Sequence, residues 1–451
     1  MVAALLFSLM NSFPFRRLIL GLLPFAAGLL AAAVPQKPNI IFILADDYGI
    51  AEVGSYGGDN YRTPNLDALA RGGMRYTNAY TVPLCGPSRA MILTGRYPFR
   101  SGATNQDATG TYTPKDWTMM PTVLKTAGYV SSAVGKWGQL PLGPAEFGFD
   151  DYLKIRGGGA YWNTQDKAKT YEVNGKKIPL ADNVYLPDVM HRHVTNFITT
   201  HRDRPFYLYY SLSHVHTEIL PTPDSAPGSS DQEIYRDNVA YMDKLVGKLI
   251  AELERLKLRE KTLIVFFGDN GTSGGRAARA TIGGRPLSGA KGSMLEGGGL
   301  VPLIVNWPGV TPAGKTSRDM VDASDFFPTF AELAGAKLPE KTVIDGRSLA
   351  PQFRGEKGQP RAWAFNQLAR MWYVRETGWK LNEKGELYDM SGAPFAETLV
   401  TTDAKDPAAI AARKRLQRAL EQLNPAGGIA DTGDPSGRHA KNAAKKNRKE
   451  D

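Results

Sequence analysis

With one cysteine, Cys85, in 451 residues, the chain cannot form an intrachain disulfide. It has little that could span a membrane. Its long apolar stretch, residues 18–30, falls short of the ~20 residues that cross a bilayer and is interrupted by Pro24. A strong excess of one charge is also missing. The formal charge is +10, but Arg16 and Arg17 supply +2 and residues 438–451 supply +4, which leaves about +4 on the remainder and no reason to invoke nucleic acid. The 47 glycines and 30 prolines exclude a coiled coil, while 42% hydrophobic residues exclude a disordered chain.

The amino terminus carries a recognisable pattern. Arg16 and Arg17 precede the apolar run, and Ala31, Ala32 and Ala33 form a small-residue cleavage context. Residues 1–34 are therefore expected to be an export signal rather than a transmembrane anchor, with a periplasmic or secreted destination. In an oxidising compartment a lone thiol must be buried, paired with another chain, or used.

Short apolar runs at Asn39–Ala45, 129–134, 206–212, 262–267 and 301–305 alternate with helical patterns at 65–71, 186–199, 231–256 and 324–334. Continuous apolar strands between helices predict an α/β fold with a large, mostly parallel sheet sandwiched by helices. In such sheets ligands bind beyond the carboxyl ends of the strands. Asp46, Asp47, Lys136, His214, His216, Asp269 and Asn270 all follow or end these runs, so they are expected to converge on one edge. After residue 360 the pattern changes to short strands at 362–367, 371–375, 379–382 and 386–388, then a helix at Pro407–Leu423. The expected domains are a catalytic unit over 35–359, a small antiparallel subdomain over 360–424, and a disordered basic tail over 425–451.

Cys85 opens the segment Cys85-Gly86-Pro87-Ser88-Arg89, and Pro87 suits the first position of a helix that continues through Leu93. A nucleophile at a helix amino terminus is activated by unpaired N–H groups and the positive end of the dipole. On these grounds alone a thiolate enzyme is one reading. The oxygen-only set Asp46, Asp47, Asp269 and Asn270 suits a hard cation, Ca²⁺ or Mg²⁺, and not zinc.

The segment resembles the sulfatase signature Cys-x-Pro-Ser-Arg, closed here by Thr94-Gly95-Arg96. The resemblance extends over most of the chain. It includes Asp46-Asp47, Thr63-Pro64-Asn65-Leu66-Asp67, Asp269-Asn270-Gly271, the run from Gly289 to Gly298, Asp325-Phe326-Phe327-Pro328-Thr329 and Asp345-Gly346-Arg347-Ser348-Leu349. It implies an alkaline phosphatase-like fold and an exported hydrolase of sulfate monoesters, on a sulfated carbohydrate or an aryl sulfate. It further implies that a maturation enzyme oxidises Cys85 to formylglycine, whose hydrated form attacks sulfur. Asp46, Asp47, Asp269, Asn270 and the modified Cys85 would hold the metal, calcium before magnesium. Arg89, Lys136 and Lys291 would be the cations around the sulfate, with Lys136 and Lys291 binding substrate. His216 would assist the leaving alcohol, and His214, two residues earlier on the same face of an extended chain, would help bind substrate. One departure stands out: the family's Gly-Lys-Trp-His block reads Gly135-Lys136-Trp137-Gly138-Gln139, so the histidine that would bond the formylglycine hydroxyl is absent and Gln139 or His214 is left to replace it. Two other readings share the motif: a phosphodiester or phosphonate hydrolase, and a catalytically impaired sulfatase-like binding protein.

Overall fold

The computed structural model describes residues 37–105, 114, 117–137, 140, 142–155, 157–159, 161–163 and 169–429. The expected export signal, Gly138, Gln139 and residues 430–451 lie outside the described residues.

The large sheet is built from β1 (Asn39–Ala45), β2 (Met74–Tyr80), β3 (Val130–Lys136), β4 (Asp151–Ile155), β5 (Thr170–Val173), β6 (Lys176–Pro179), β7 (Phe206–Ser211) and β8 (Thr262–Gly268). After the two-stranded ribbon of β9 (Thr281–Ile282) and β10 (Arg285–Pro286), β11 (Leu303–Asn306) and β12 (Lys315–Asp322) complete it. Its order is β12-β2-β11-β8-β1-β7-β3-β4-β5-β6. The centre is parallel: β1 pairs with β7 and β8, and β3 pairs with β7 and β4, all in the same direction.

β1 sits at the middle because all seven residues of Asn-Ile-Ile-Phe-Ile-Leu-Ala are buried. Alternate side chains serve opposite faces. Ile40, Phe42 and Leu44 pack with Ala90–Leu93 of the Cys85–Thr94 helix and with Phe326 and Phe330. Ile41 and Ile43 pack with Val194, Phe197, Met242 and Leu245 from the Leu186–Thr200 and Asp231–Arg255 helices. The latter helix starts at a capping box, in which Ser230 and Glu233 each satisfy the other's backbone N–H.

Two strand expectations need adjustment. The 301–305 run begins its strand at Leu303, and β11 runs antiparallel to β8. The chain never crosses the sheet between them: the Pro302 carbonyl accepts from the Gly268 N–H at 3.3 Å, so β11 begins where β8 ends. This return keeps residues 269–300 at the carboxyl edge of β8. Residues 425–429, expected to open the disordered tail, are ordered. Pro425 is buried, Asn424 caps a short turn, and the Ile429 N–H donates to the Phe99 carbonyl at 2.8 Å.

The second sheet is antiparallel, with β13 (Ala364–Leu368), β14 (Met371–Glu376), β15 (Trp379–Asn382), β16 (Leu387–Asp389) and β17 (Thr398–Val400) in that order. The Pro407–Leu423 helix lays Ala412, Leu416 and Leu420 into one core cluster with Val374, Leu381 and Leu387 of this sheet. Asp406 caps its first turn by accepting from the N–H groups of Ala408 and Ala409.

Candidate active site

The expected site residues come from segments far apart in the chain and gather beyond the carboxyl ends of β1, β3, β7 and β8. Asp46 and Asp47 follow β1. Successive residues of an extended strand point to opposite faces, but Asp47 takes φ +60°, a left-handed conformation that aspartate tolerates better than most residues. The break in alternation lets both carboxylates reach one point, with oxygens of Asp46 and Asp47 and a ring nitrogen of His216 all within 4.8 Å of one another.

Cys85 is the first residue of its helix and is 1% exposed. Pro87 stands third rather than first. Its missing N–H falls among those that a helix start leaves unpaired in any case, so the position is equally compatible. Lys136, the last residue of β3, places its ammonium 2.8 Å from both Asp46 oxygens and 3.2 Å from the Cys85 sulfur. Oxygens of Asp46 and Asp269 and that sulfur lie within 4.8 Å of one another.

Arg89, fully enclosed one turn along the same helix, orders the strand ends. Its Nε and Nη2 donate to Asp269 Oδ2 at 3.0 and 2.6 Å. Its Nη1 donates to the Lys136 carbonyl at 2.9 Å and to the Ser211 hydroxyl at the end of β7. One planar guanidinium therefore fixes β3, β7 and β8 against the helix that carries Cys85. Asp269 in turn accepts from the Asp47 N–H at 3.0 Å. Arg89 is expected among the cations around the sulfate; its Nε, Nη1 and Nη2 bonds tie it to Asp269, Lys136 and Ser211.

Electrostatics follow from this packing. Burial tends to raise Asp46, but the Lys136 ammonium, then His216 and Arg89, overcome it and hold the carboxyl below its ordinary value. Burial, with the like charge of Asp46, raises Asp269. Burial acts to lower Lys136 and Lys291, yet Asp46 in the first case and Asp47 in the second raise both. All the lysines and arginines here stay charged at neutral pH. Asp46, Asp47 and Asp269 are balanced by Arg89, Lys136 and Lys291.

The residues fit a hard cation. Asn270 spends its amide N–H groups on Asp47 Oδ1 at 3.0 Å and the Gly271 carbonyl at 2.9 Å. Its buried Oδ1 is left without a hydrogen-bond partner, an orphan acceptor beside three carboxylates. A cation that takes oxygen ligands would satisfy it.

The two histidines separate. His216 is partly exposed and its Nδ1 meets the Thr217 carbonyl. His214 has no exposure, shares a hydrogen bond of 2.9 Å with the Tyr185 hydroxyl, and is surrounded by the rings of Tyr161, Tyr185 and Tyr241. Burial lowers it to about 3, so it is neutral. The expected common face fails because the chain turns at His214 and Val215 instead of staying extended. His214 lies behind the site, where its carbonyl accepts from the Asp46 N–H at 2.9 Å. Tyr161 is likewise a packing residue: its hydroxyl donates to the carbonyls of Ser213 and His216.

Sequence reasoning missed Ser211 and Glu52. Ser211 ends the apolar run of β7, the same signal that marked Lys136. Glu52 lies in a turn after Asp47 and has no such marker.

Comparison with known proteins decides the family. Residues 38–336 match the sulfatase family, and residues 290–424 match the N-sulphoglucosamine sulphohydrolase carboxy-terminal family.

The chain belongs to the sulfatase family.

The N-acetylgalactosamine-6-sulfatase of dog (Canis lupus familiaris) is 36% identical over 73% of this chain and 68% of its own length. Human (Homo sapiens) arylsulfatase A is 35% identical, covering 76% of this chain and 72% of that protein. Among solved structures, Ps i-CgsB is 30% identical with a TM-score of 0.75, over 88% of this chain and 94% of that one. A second structure of it holds k-i-k-neocarrahexaose, with 29% identity over 88% and 94% of the two chains and a TM-score of 0.75. This sulfatase is accordingly a sulfuric ester hydrolase. Among its described residues no helix is long and apolar enough to cross a membrane.

Proposed function

We propose that this sulfatase hydrolyses sulfate monoesters of carbohydrates through a formylglycine made from Cys85, with Ca²⁺ held by Asp46, Asp47, Asp269 and Asn270. The observation that carries the reading is the Lys136 ammonium, which bridges Asp46 at 2.8 Å and the Cys85 sulfur at 3.2 Å at a buried point. Asp46 thereby links the residue to be modified with the acids suited to a hard cation. Ps i-CgsB, solved in complex with k-i-k-neocarrahexaose, supports a sulfated glycan as substrate class.

The divalent ion, when bound, would make a hydroxyl at position 85 more acidic and draw electron density from the sulfate oxygens. The remaining work falls to the chain. Arg89 holds Asp269 in place and keeps the helix start aligned with β8. Lys136 places a fixed positive charge beside position 85, where charge develops in the transition state. Lys291, partly exposed with its ammonium on Asp47, is the cation that can turn to a sulfate oxygen. His216 donates its Nδ1–H to the Thr217 carbonyl, so it acts as the acid in its imidazolium form, in which Nε2–H gives its proton to the leaving alcohol oxygen and the ring is left neutral. The expected export of the protein belongs to the same proposal, and rests on residues 16–33 alone.

The test has two parts. Chain produced with a formylglycine-generating enzyme should carry an aldehyde at position 85, read by the mass of its tryptic peptide, and should release sulfate from sulfated oligosaccharides. An unmodified thiol with full turnover would refute the nucleophile. Phosphate release from matched phosphodiesters faster than sulfate release would refute the bond.

A further inference from the structure

Lys291 is tethered differently from the other site cations. Arg89 and Lys136 project from a helix and a strand. Lys291 lies on the glycine-rich segment 288–299, where Gly289 and Gly292 both take φ +80° and the only regular element is the four-residue helix Glu296–Gly299. Such a segment costs much entropy to order, so its position depends on what grips it.

Part of the grip comes from the catalytic unit. The Lys291 N–H donates to the Thr272 carbonyl at 2.9 Å and the Gly292 N–H to the Pro83 carbonyl at 2.8 Å. The remainder comes from the carboxy-terminal sheet. Lys380 on β15 donates to the Met294 carbonyl at 3.2 Å, and Glu397 accepts from the Glu296 N–H at 3.2 Å. Lys380 and Glu397 also form an ion pair with side chains 5% and 3% exposed. The ammonium is held between the rings of Tyr373 and Tyr388, each 5.0 Å away. Arg375 on β14 pairs with the Glu296 carboxylate at 2.9 and 3.1 Å, and the Ser288 N–H donates to the Pro394 carbonyl at 2.9 Å. Lys380 and Glu397 thus each bind a main-chain group of the same segment, one an acceptor and one a donor. A buried ion pair is a poor route to stability compared with apolar packing, but it fixes geometry when its remaining bonds are directed.

We propose that Lys380 and Glu397 are positioning residues for Lys291: they hold segment 288–299 so that the Lys291 ammonium meets the substrate's sulfate oxygens, which makes the carboxy-terminal sheet part of the catalytic apparatus. This rests on the sulfate-ester reading above.

A double-mutant cycle on the full, matured chain with a nitrophenyl sulfate tests it. Glu397→Gln is expected to lower kcat/KM about tenfold, mainly through KM, and to have less than about a twofold effect in a Lys291→Ala background. Equal losses in both backgrounds overturn the positioning role. Wild-type kcat/KM in Lys291→Ala alone overturns instead the assignment of Lys291 to the sulfate. Lys380→Arg keeps the charge and the tyrosine cage while displacing the bond to Met294, and serves the same cycle if Glu397→Gln does not fold. Where Lys291→Ala is too slow to measure, hydrogen exchange of segment 288–299 decides: about tenfold faster exchange in the Lys380 or Glu397 variant, with β8 unchanged, supports the proposal, and unchanged exchange overturns it.

Discussion

Replacing Glu52 by glutamine should remove roughly 2–3 kcal/mol of the stability that this fold loses between pH 5 and pH 8. Glu52 is fully buried behind the Asp47 turn. Its carboxyl accepts from the Gly49 N–H at 2.7 Å, the Thr272 hydroxyl at 2.7 Å and the Tyr235 hydroxyl. Burial is the largest influence and pushes it from 4.5 up to about 7, against the pull of the three donors. The folded chain therefore keeps a proton that the unfolded chain gives up near 4.5. Stability from this group is fully present below the unfolded value and is lost as pH rises through about 7. At about 1.4 kcal/mol per pH unit, the span from 4.5 to about 7 is worth about 3 kcal/mol, most of it released between pH 5 and 8. Glutamine is nearly isosteric, and its amide N–H can donate to the Tyr235 hydroxyl while its carbonyl keeps the other two donors. Urea unfolding in chelator, at both pH values and for both proteins, isolates the difference. The wild type should lose roughly 2–3 kcal/mol more than the variant on going to pH 8; parallel losses in the two proteins refute the reasoning.

Three further outcomes follow from the site. Lys136→Met leaves Arg89, 3.8 Å away, as the nearest remaining cation on Asp46, so kcat for sulfate release should fall by about 10²–10³ and the fold should weaken by about 3 kcal/mol, read by steady-state kinetics and urea titration. His216→Gln should cost about 10²–10⁴ in kcat on an alkyl sulfate and far less on a nitrophenyl sulfate, whose leaving group needs no proton; an equal loss on both removes His216 as the acid. Stripping divalent ions should abolish turnover and lower the melting temperature, with both restored by Ca²⁺.

The central strands were legible because burial on both faces leaves an unbroken apolar signature, as in β1, where no polar residue interrupts positions 40–45. β2 and β12 were not. Met-Arg-Tyr-Thr-Asn-Ala-Tyr and Lys-Thr-Ser-Arg-Asp-Met-Val-Asp lie toward the sheet's edge, with half-buried and exposed positions that look like turns. The direction of β11 has no local signal at all; it depends on where the preceding segment returns. In the site, the acids could be read because they terminate apolar runs. Glu52 could not, since a carboxylate in a Gly-rich turn is ordinarily solvated, and only the tertiary arrival of Tyr235 and Thr272 encloses it. The two histidines were misplaced relative to each other because period-two reasoning ends where the strand ends, at Ser211.

The charge inventory explains why these pieces belong together. Arg89 and Lys136 are wholly enclosed and bonded to Asp269 and Asp46, so their charges are largely spent on the protein. Lys291, with its side chain 20% exposed, pairs with Asp47 in the same way. These three acids and three cations cancel, so between them they leave no net attraction for a sulfate monoester. A divalent ion on the acids would bring these groups to about +2, and at an effective dielectric near 20 a unit charge 4 Å from each of two such charges would gain several kcal/mol. Substrate affinity should therefore depend on the ion even for groups that never touch it: loss of the ion weakens sulfate binding as well as turnover. The cations alone, being already paired, cannot compensate for the missing ion.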